Sequence, residues 1–278
     1  MTVILFTLLL LVVSGITGFL GALTGLGGGV LLVPVLTLLF GVHIHYASGA
    51  TLVSVIATSS GAAAAYVKEG FTNIRIGMFL EIATTLGAVA GAMLAARVST
   101  HVIAVVFGLM LLYSAFLSWH STPDVAPLDK PDRFSQKLKL NGTYPVGQEH
   151  RSYNVFRVPA GFGLMAVAGA LSGLLGIGSG AMKVLAMDQV MRIPLKVSTT
   201  TSNFMIGVTA AASAGVYLKR GYIDPGLAMP VMLGVLLGSM IGAKVLVRAH
   251  TRLLRQIFSI IIAIMGIEMI FNAFTGRL

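Results

Sequence analysis

Long apolar runs separated by short polar breaks dominate the chain. Residues 2–24, 48–67, 76–96 and 102–118 each form an almost unbroken hydrophobic stretch, and about 20 residues at 1.5 Å rise suffice to cross the ~30 Å hydrocarbon core of a bilayer. Strands of a barrel would alternate polar and apolar positions instead. The pattern predicts membrane-spanning helices. It lapses at residues 119–158, where "HSTPDVAPLDKPDRFSQKLKLNGTYPVGQEHRSYNVFR" is rich in proline and charge and reads as an aqueous linker. Its "NGT" reads as a turn, with no secretory context to make it a glycosylation site.

The apolar pattern occurs twice. A shift of 151 residues overlays the halves without a gap, placing Gly18 on Gly169, Gly25 on Gly176, Tyr66 on Tyr217, Gly91 on Gly242 and Arg97 on Arg248. A period this long in a membrane chain indicates duplication. The expected organisation is a first transmembrane repeat over 1–118, a linker over 119–158 and a second repeat over 159–278. Each half offers five helical segments, the second of them short, at about 26–41 and 177–191. If the short segments cross, each half has an odd number of spans and the repeats are inverted.

Charge favours that arrangement. With odd halves, 14 lysines and arginines fall on the linker's side and 4 on the other, with Lys183 left inside. If the short segments only dip in, the division becomes 11 to 7. The positive-inside rule then predicts inverted repeats, with the linker cytoplasmic and both termini outside. The first segment has no basic leader and no small-residue cleavage site, so it is read as a helix and not as a removed signal.

Composition narrows the function. The chain is 56% hydrophobic and 10% charged, against about 25% charged in soluble domains. Its net charge of +10 comes from loops between apolar runs, so nucleic acid is not an expected partner. With no cysteine, thiolate metal sites and disulfides are excluded. All six histidines lie at segment ends or in the linker, so no buried base is at hand for a membrane serine, and no Walker loop is present. No enzyme activity, cofactor or metal is expected. The lipid bilayer and a small anion are the expected partners. Stripes of small residues suit a homodimer, but they pack helices within one chain equally well.

Glycine carries the candidate chemistry. Gly87, Gly91, Gly234, Gly238 and Gly242 lie four apart and read as helix-packing positions. The cluster Gly25, Gly27, Gly28 and Gly29, matched by Gly176, Gly178, Ser179 and Gly180, exceeds that need and predicts a break from which a helix restarts. Lipid tolerates such a break only around a protein-lined cavity. Half-helix N-termini attract anions, and breaks at matching positions of two repeats point to a carrier's binding site.

Lys183 sharpens the reading, because its counterpart is Leu32 and an ionisable group at membrane depth is a functional candidate. Asp188 is expected to pair with Arg192, four residues on, leaving Lys183 for substrate. Ser48, Thr51, Thr199, Ser202 and Asn203 supply hydroxyls and an amide that can ligand an oxyanion. Glu81, inside an apolar run, is a candidate carrier of a coupling proton. Another small anion such as a carboxylate, or a non-transporting membrane assembly or sensor built around the linker, are the competing readings.

The stretches "GFLGALTGLGGGVLLVPVL…YASGATLVSVIATSSGAAAAYVKEGFTN" and "GALSGLLGIGSGAMKVLAM…VSTTTSNFMIGVTAAASAGVYLKRGYID" closely resemble the TauE/SafE family of sulfite exporters. The resemblance covers nearly the whole chain apart from the linker. It implies ion-coupled secondary transport of small sulfur-containing anions, such as sulfite or organosulfonates, with the doubled glycine motif at Gly25, Gly27, Gly28 and Gly29 and at Gly176, Gly178 and Gly180. Ser179 in place of a glycine, the presence of Lys183 and Asp188, and the inserted linker depart from the commoner pattern.

Overall fold

The structure is a computed structural model describing residues 3–24, 28–68, 70–119, 132–146, 149–178, 180–248 and 251–275. It is an all-α polytopic membrane protein. In the first half, α1 (Val3–Thr24) is followed by α2 (Gly29–Pro34), α3 (Ile44–Lys68), α4 (Ile74–Ala95) and α5 (Thr100–Trp119). A short α6 (Arg133–Lys137) and a hairpin of β1 (Gly142–Val146) and β2 (Glu149–Tyr153) lead to the second half. There α7 (Val158–Leu175), α8 (Gly180–Leu185), α9 (Leu195–Lys219), α10 (Pro225–Arg248) and α11 (Thr251–Thr275) repeat the order. Four helices, α1, α4, α7 and α10, are long and apolar enough to cross a membrane by length and composition. At 25 residues each, α3 and α9 are also long enough, but they carry hydroxyls. They take the centre, packed against each other and against α10 and α4.

Helix directions follow from which ends meet. Glycines of α10 fit against α1 in register: a Cβ on Gly238 would lie 1.9 Å from the Gly15 carbonyl oxygen, and one on Gly242 would lie 2.5 Å from that of Phe19. These two helices therefore run parallel. The equivalent pair α4 and α7 does the same, with Gly87 against Ala166, Gly91 against Ala170 and Gly173 against Ala88. Gly49 and Gly61 of α3 meet Tyr222 and Leu236 in order, so α3 is parallel to α10. At the start of α4 the Asn73 N–H donates to Thr201 Oγ1, and Arg220 donates to Ala92 O and Met93 O near its end, so α9 is parallel to α4.

The two central helices oppose each other. Ser48, early in α3, and Tyr217, late in α9, both donate to carbonyls at the end of α7, while Thr200, early in α9, donates to Phe71 O beyond α3. Thus α1, α3 and α10 point one way and α4, α7 and α9 the other. Because α1 and α7 are equivalent elements, the repeats are inverted, as the charge count predicts. The antiparallel pair α5 and α11, joined by Ser259 Oγ to Ala115 O at 2.6 Å and by the close approach of Gly108 to Gly266, relates to itself under the same two-fold.

The short segments are half-membrane rods. Each short helix continues as a π-helical turn, α2 into Val35–Leu39 and α8 into Ala186–Val190, giving 6 and then 5 residues. Such a rod is about 16 Å long at 1.5 Å per residue. Gly28, just before α2, lies beside Thr17 and Gly18 of α1.

The linker does more than connect. Leu140, Tyr144, Tyr153 and Val155 are buried in one cluster with Ile76 and Leu80 of α4 and Met187 and Met191 beside α8. Asn73 Nδ2 donates to Tyr153 Oη at 2.7 Å, and Arg75 donates to Lys139 O. These apolar side chains are spread through polar sequence, so no hydrophobic run announces them. Asn141 of "NGT" accepts from Ser135 Oγ and from the Val155 N–H, and Gly142 and Thr143 begin β1, so the triplet forms a strand start and not the expected turn.

Candidate functional site

The two breaks meet at mid-height between α3 and α9. Gly28 has φ 67° and Gly178 has φ 77°, left-handed conformations that favour glycine. The Gly28 carbonyl accepts the N–H groups of Leu31 and Leu32, and no side chain caps α2. A Cβ on Gly29 would lie 2.7 Å from the Ile177 carbonyl oxygen of the opposite break and 3.0 Å from Thr51 Cγ2, so side chains are excluded there. One on Gly178 would meet Ile206 and Val55. Gly176, with φ 71°, packs on Ser48, and the Gly180 carbonyl accepts Ser202 Oγ at 3.2 Å. The structure thus gathers Gly28, Gly29, Gly176, Gly178, Gly180, Ser48, Thr51 and Ser202 around one crossing. Gly25, Gly27 and Ser179 lie outside the described residues.

Several buried polar groups here have no hydrogen-bond partner: Thr51 Oγ1, Ser172 Oγ and both amide atoms of Asn203. An unsatisfied buried polar group is destabilising by about 1–3 kcal/mol, so these groups call for a partner such as a bound water or a ligand. Ser48 differs, because its hydroxyl is engaged by Leu175 O at 2.9 Å. Thr199 is buried on α9 four residues before Asn203.

Lys183 is fully buried on α8, and its partner is Glu81 of α4. Nζ lies 3.6 Å from Glu81 Oε2 and donates to Thr209 Oγ1 of α9, which in turn donates to Glu81 Oε1 at 2.5 Å. Thr85, one turn beyond Glu81, donates to the same oxygen at 3.1 Å. Lys183 is therefore not left uncompensated for substrate, as the sequence suggests; it shares an ion pair that spans both halves. Sequence reading missed Thr209 and Thr85, although Glu81 and Thr85 at i, i+4 face one another on a helix. Asp188 accepts from Gln189 Nε2, and the Arg192 guanidinium lies 5.8 Å from the Phe156 ring centre. Among the described residues no cluster of three or more histidines and carboxylates could hold a metal.

The family model for Sulfite exporter TauE/SafE matches residues 10–269. The chain belongs to this family. Among relatives of this TauE/SafE chain, the probable membrane transporter protein YunE of Bacillus subtilis (strain 168) is 27% identical over 271 residues, covering 95% of this chain and 97% of its own length. YdhB of the same organism, also a probable membrane transporter protein, is 27% identical over 241 residues, 86% and 89% of the two chains. A probable membrane transporter protein of Xylella fastidiosa (strain 9a5c) is 25% identical over 267 residues, 95% and 94%. No solved structure matches. The TauE/SafE assignment makes the protein a multi-pass membrane transporter.

Proposed function

We propose that this transporter is a secondary carrier of small sulfur-containing anions, such as sulfite or organosulfonates, driven by an ion gradient across the cytoplasmic membrane. The observations that support the reading are the unpartnered buried groups on Thr51, Ser172 and Asn203 and the glycine-lined break before α2, which no side chain caps. A sulfur oxyanion would accept hydrogen bonds from those hydroxyls and the amide, and Lys183, paired with Glu81 in the structure, carries a buried positive charge. On this reading Gly25, Gly27 and Ser179 belong to the glycine motif, and Ser48, Thr199 and Ser202 are further substrate-binding residues. Alternating access would come from one half rocking against the other about the in-plane two-fold. The linker and the basic-rich ends face the cytoplasm, with the termini outside.

Ligand-induced stabilisation tests the reading. A ligand that binds only the folded state raises the unfolding temperature with concentration. The purified protein is expected to be stabilised by sulfite and by methanesulfonate, and less by acetate. Stabilisation by acetate alone would make it a carboxylate carrier, and no shift with any small anion would overturn the proposal.

A further inference from the structure

We propose that Glu81 and the substrate anion take turns at Lys183, so that one proton enters with each monovalent anion and dianions are refused. The inference rests on the carrier reading above and adds the coupling ion and the charge selectivity. Its basis is the charge inventory at the site. Nζ of Lys183 lies 3.6 Å from Glu81 Oε2, Lys183 is fully buried while the Glu81 side chain keeps 10% exposure, and Glu81 Oε2 makes no hydrogen bond.

Other charged and titratable groups on the neighbouring elements are engaged or directed elsewhere. On α4, Arg75 is bound to Lys139 O. The α7 helix carries no charged residue. Beyond α8, Asp188 accepts from Gln189. On α9, Lys196 lies over the Phe71 ring, Tyr217 donates to α7 carbonyls and Lys219 is exposed. On α5, His101 contacts Ala273 O and Tyr113 is half exposed.

An isolated buried charge is far less favourable than a paired one. When an anion takes Lys183, an ionised Glu81 would be left without a countercharge in a largely buried site. A proton from water must therefore add to the freed carboxylate, forming the O–H bond of a neutral acid. The loaded site then holds one ammonium, one anion and one neutral acid, with the same zero net charge as the empty ion pair. A dianion would leave an uncompensated negative charge. The 151-residue shift places Leu32 and Met232 opposite Lys183 and Glu81, so the duplicated fold carries one such pair and not two. The pair also links α4 of one half to α8 of the other, the halves that move.

Methanesulfonate exchange in proteoliposomes tests this, because that anion keeps one charge across the working pH range. With wild type, the KM for exchange should rise as pH increases, approaching tenfold per unit where Glu81 is ionised before binding. Anion entry should alkalinise the outside under a clamped membrane potential, and sulfate should compete roughly tenfold more weakly or worse. Glu81→Gln should show a KM independent of pH and no proton uptake. If that variant fails to assemble, Glu81→Gln with Lys183→Gln leaves no unpaired charge, and any residual flux should carry no proton. Net anion entry without proton uptake in wild type, or an unchanged pH dependence in Glu81→Gln, overturns the inference alone. No exchange of methanesulfonate or sulfite by wild type removes the carrier reading and the inference with it.

Discussion

Glu81 of the first half and Lys183 of the second form a buried ion pair across the two repeats, bridged by the hydroxyl of Thr209. The pair breaks the internal symmetry of a fold whose helices otherwise match across the two-fold. Removing one partner of a buried pair is destabilising by about 3–5 kcal/mol, whereas replacing both by apolar residues is often neutral or stabilising. Glu81→Leu and Lys183→Met should each lower thermal stability in detergent sharply. The double variant should recover most of the loss.

Asn203 holds two buried amide atoms without partners where the other half has Leu52. Asn203→Leu should therefore raise stability, by about 1 kcal/mol if one unmet polar group is relieved, and it should abolish anion-dependent stabilisation. A sulfite titration read by thermal unfolding checks both effects. Loss of stability together with unchanged sulfite response would assign Asn203 to packing.

Gly91 sits where a Cβ would be 1.9 Å from the Ala170 carbonyl oxygen, so α4 and α7 touch backbone to backbone. Gly91→Val should force them apart, with an overpacking penalty of about 1–3 kcal/mol. Gly163 on the same pair has open space around it. Gly163→Ala should unfold at or slightly above the wild-type temperature, and the contrast isolates the close approach from helix propensity.

Tyr153 anchors the linker hairpin to the start of α4 through Asn73. Burial pushes its phenol up to about 12, offset in part by the Asn73 hydrogen bond. A folded value above the unfolded one of about 10 means the neutral phenol's contribution is complete below pH ~10 and fades towards 12. Tyr153→Phe should lose about 1 kcal/mol, the typical worth of one hydrogen bond. The difference in unfolding temperature should stay flat across neutral pH and shrink only in strong alkali.

Much of this was legible in the residues. The duplicated glycines gave the breaks, because few other residues accept the backbone that Gly28 and Gly178 adopt. The basic residues pointed to the inverted repeats, since an odd number of crossings per half divides them 14 to 4 and an even number only 11 to 7. Spacing along one helix could not reveal that Lys183 meets Glu81, because the contact joins α8 to α4 through tertiary packing. The same limit hid Thr209, one hydroxyl among many on α9. The hairpin's docking escaped notice because Tyr144 and Tyr153 are isolated in polar sequence, and the π-helical turns leave no periodicity of their own.

Labelled sulfite uptake into proteoliposomes, comparing wild type with Lys183→Ala at equal reconstitution, tests the central claim most directly. The expected result is a saturable flux in wild type, inhibited by methanesulfonate and lost in the variant. A variant that carries sulfite as fast as wild type would contradict a binding site at the paired breaks, and a wild type that carries no anion would contradict sulfur-anion transport itself.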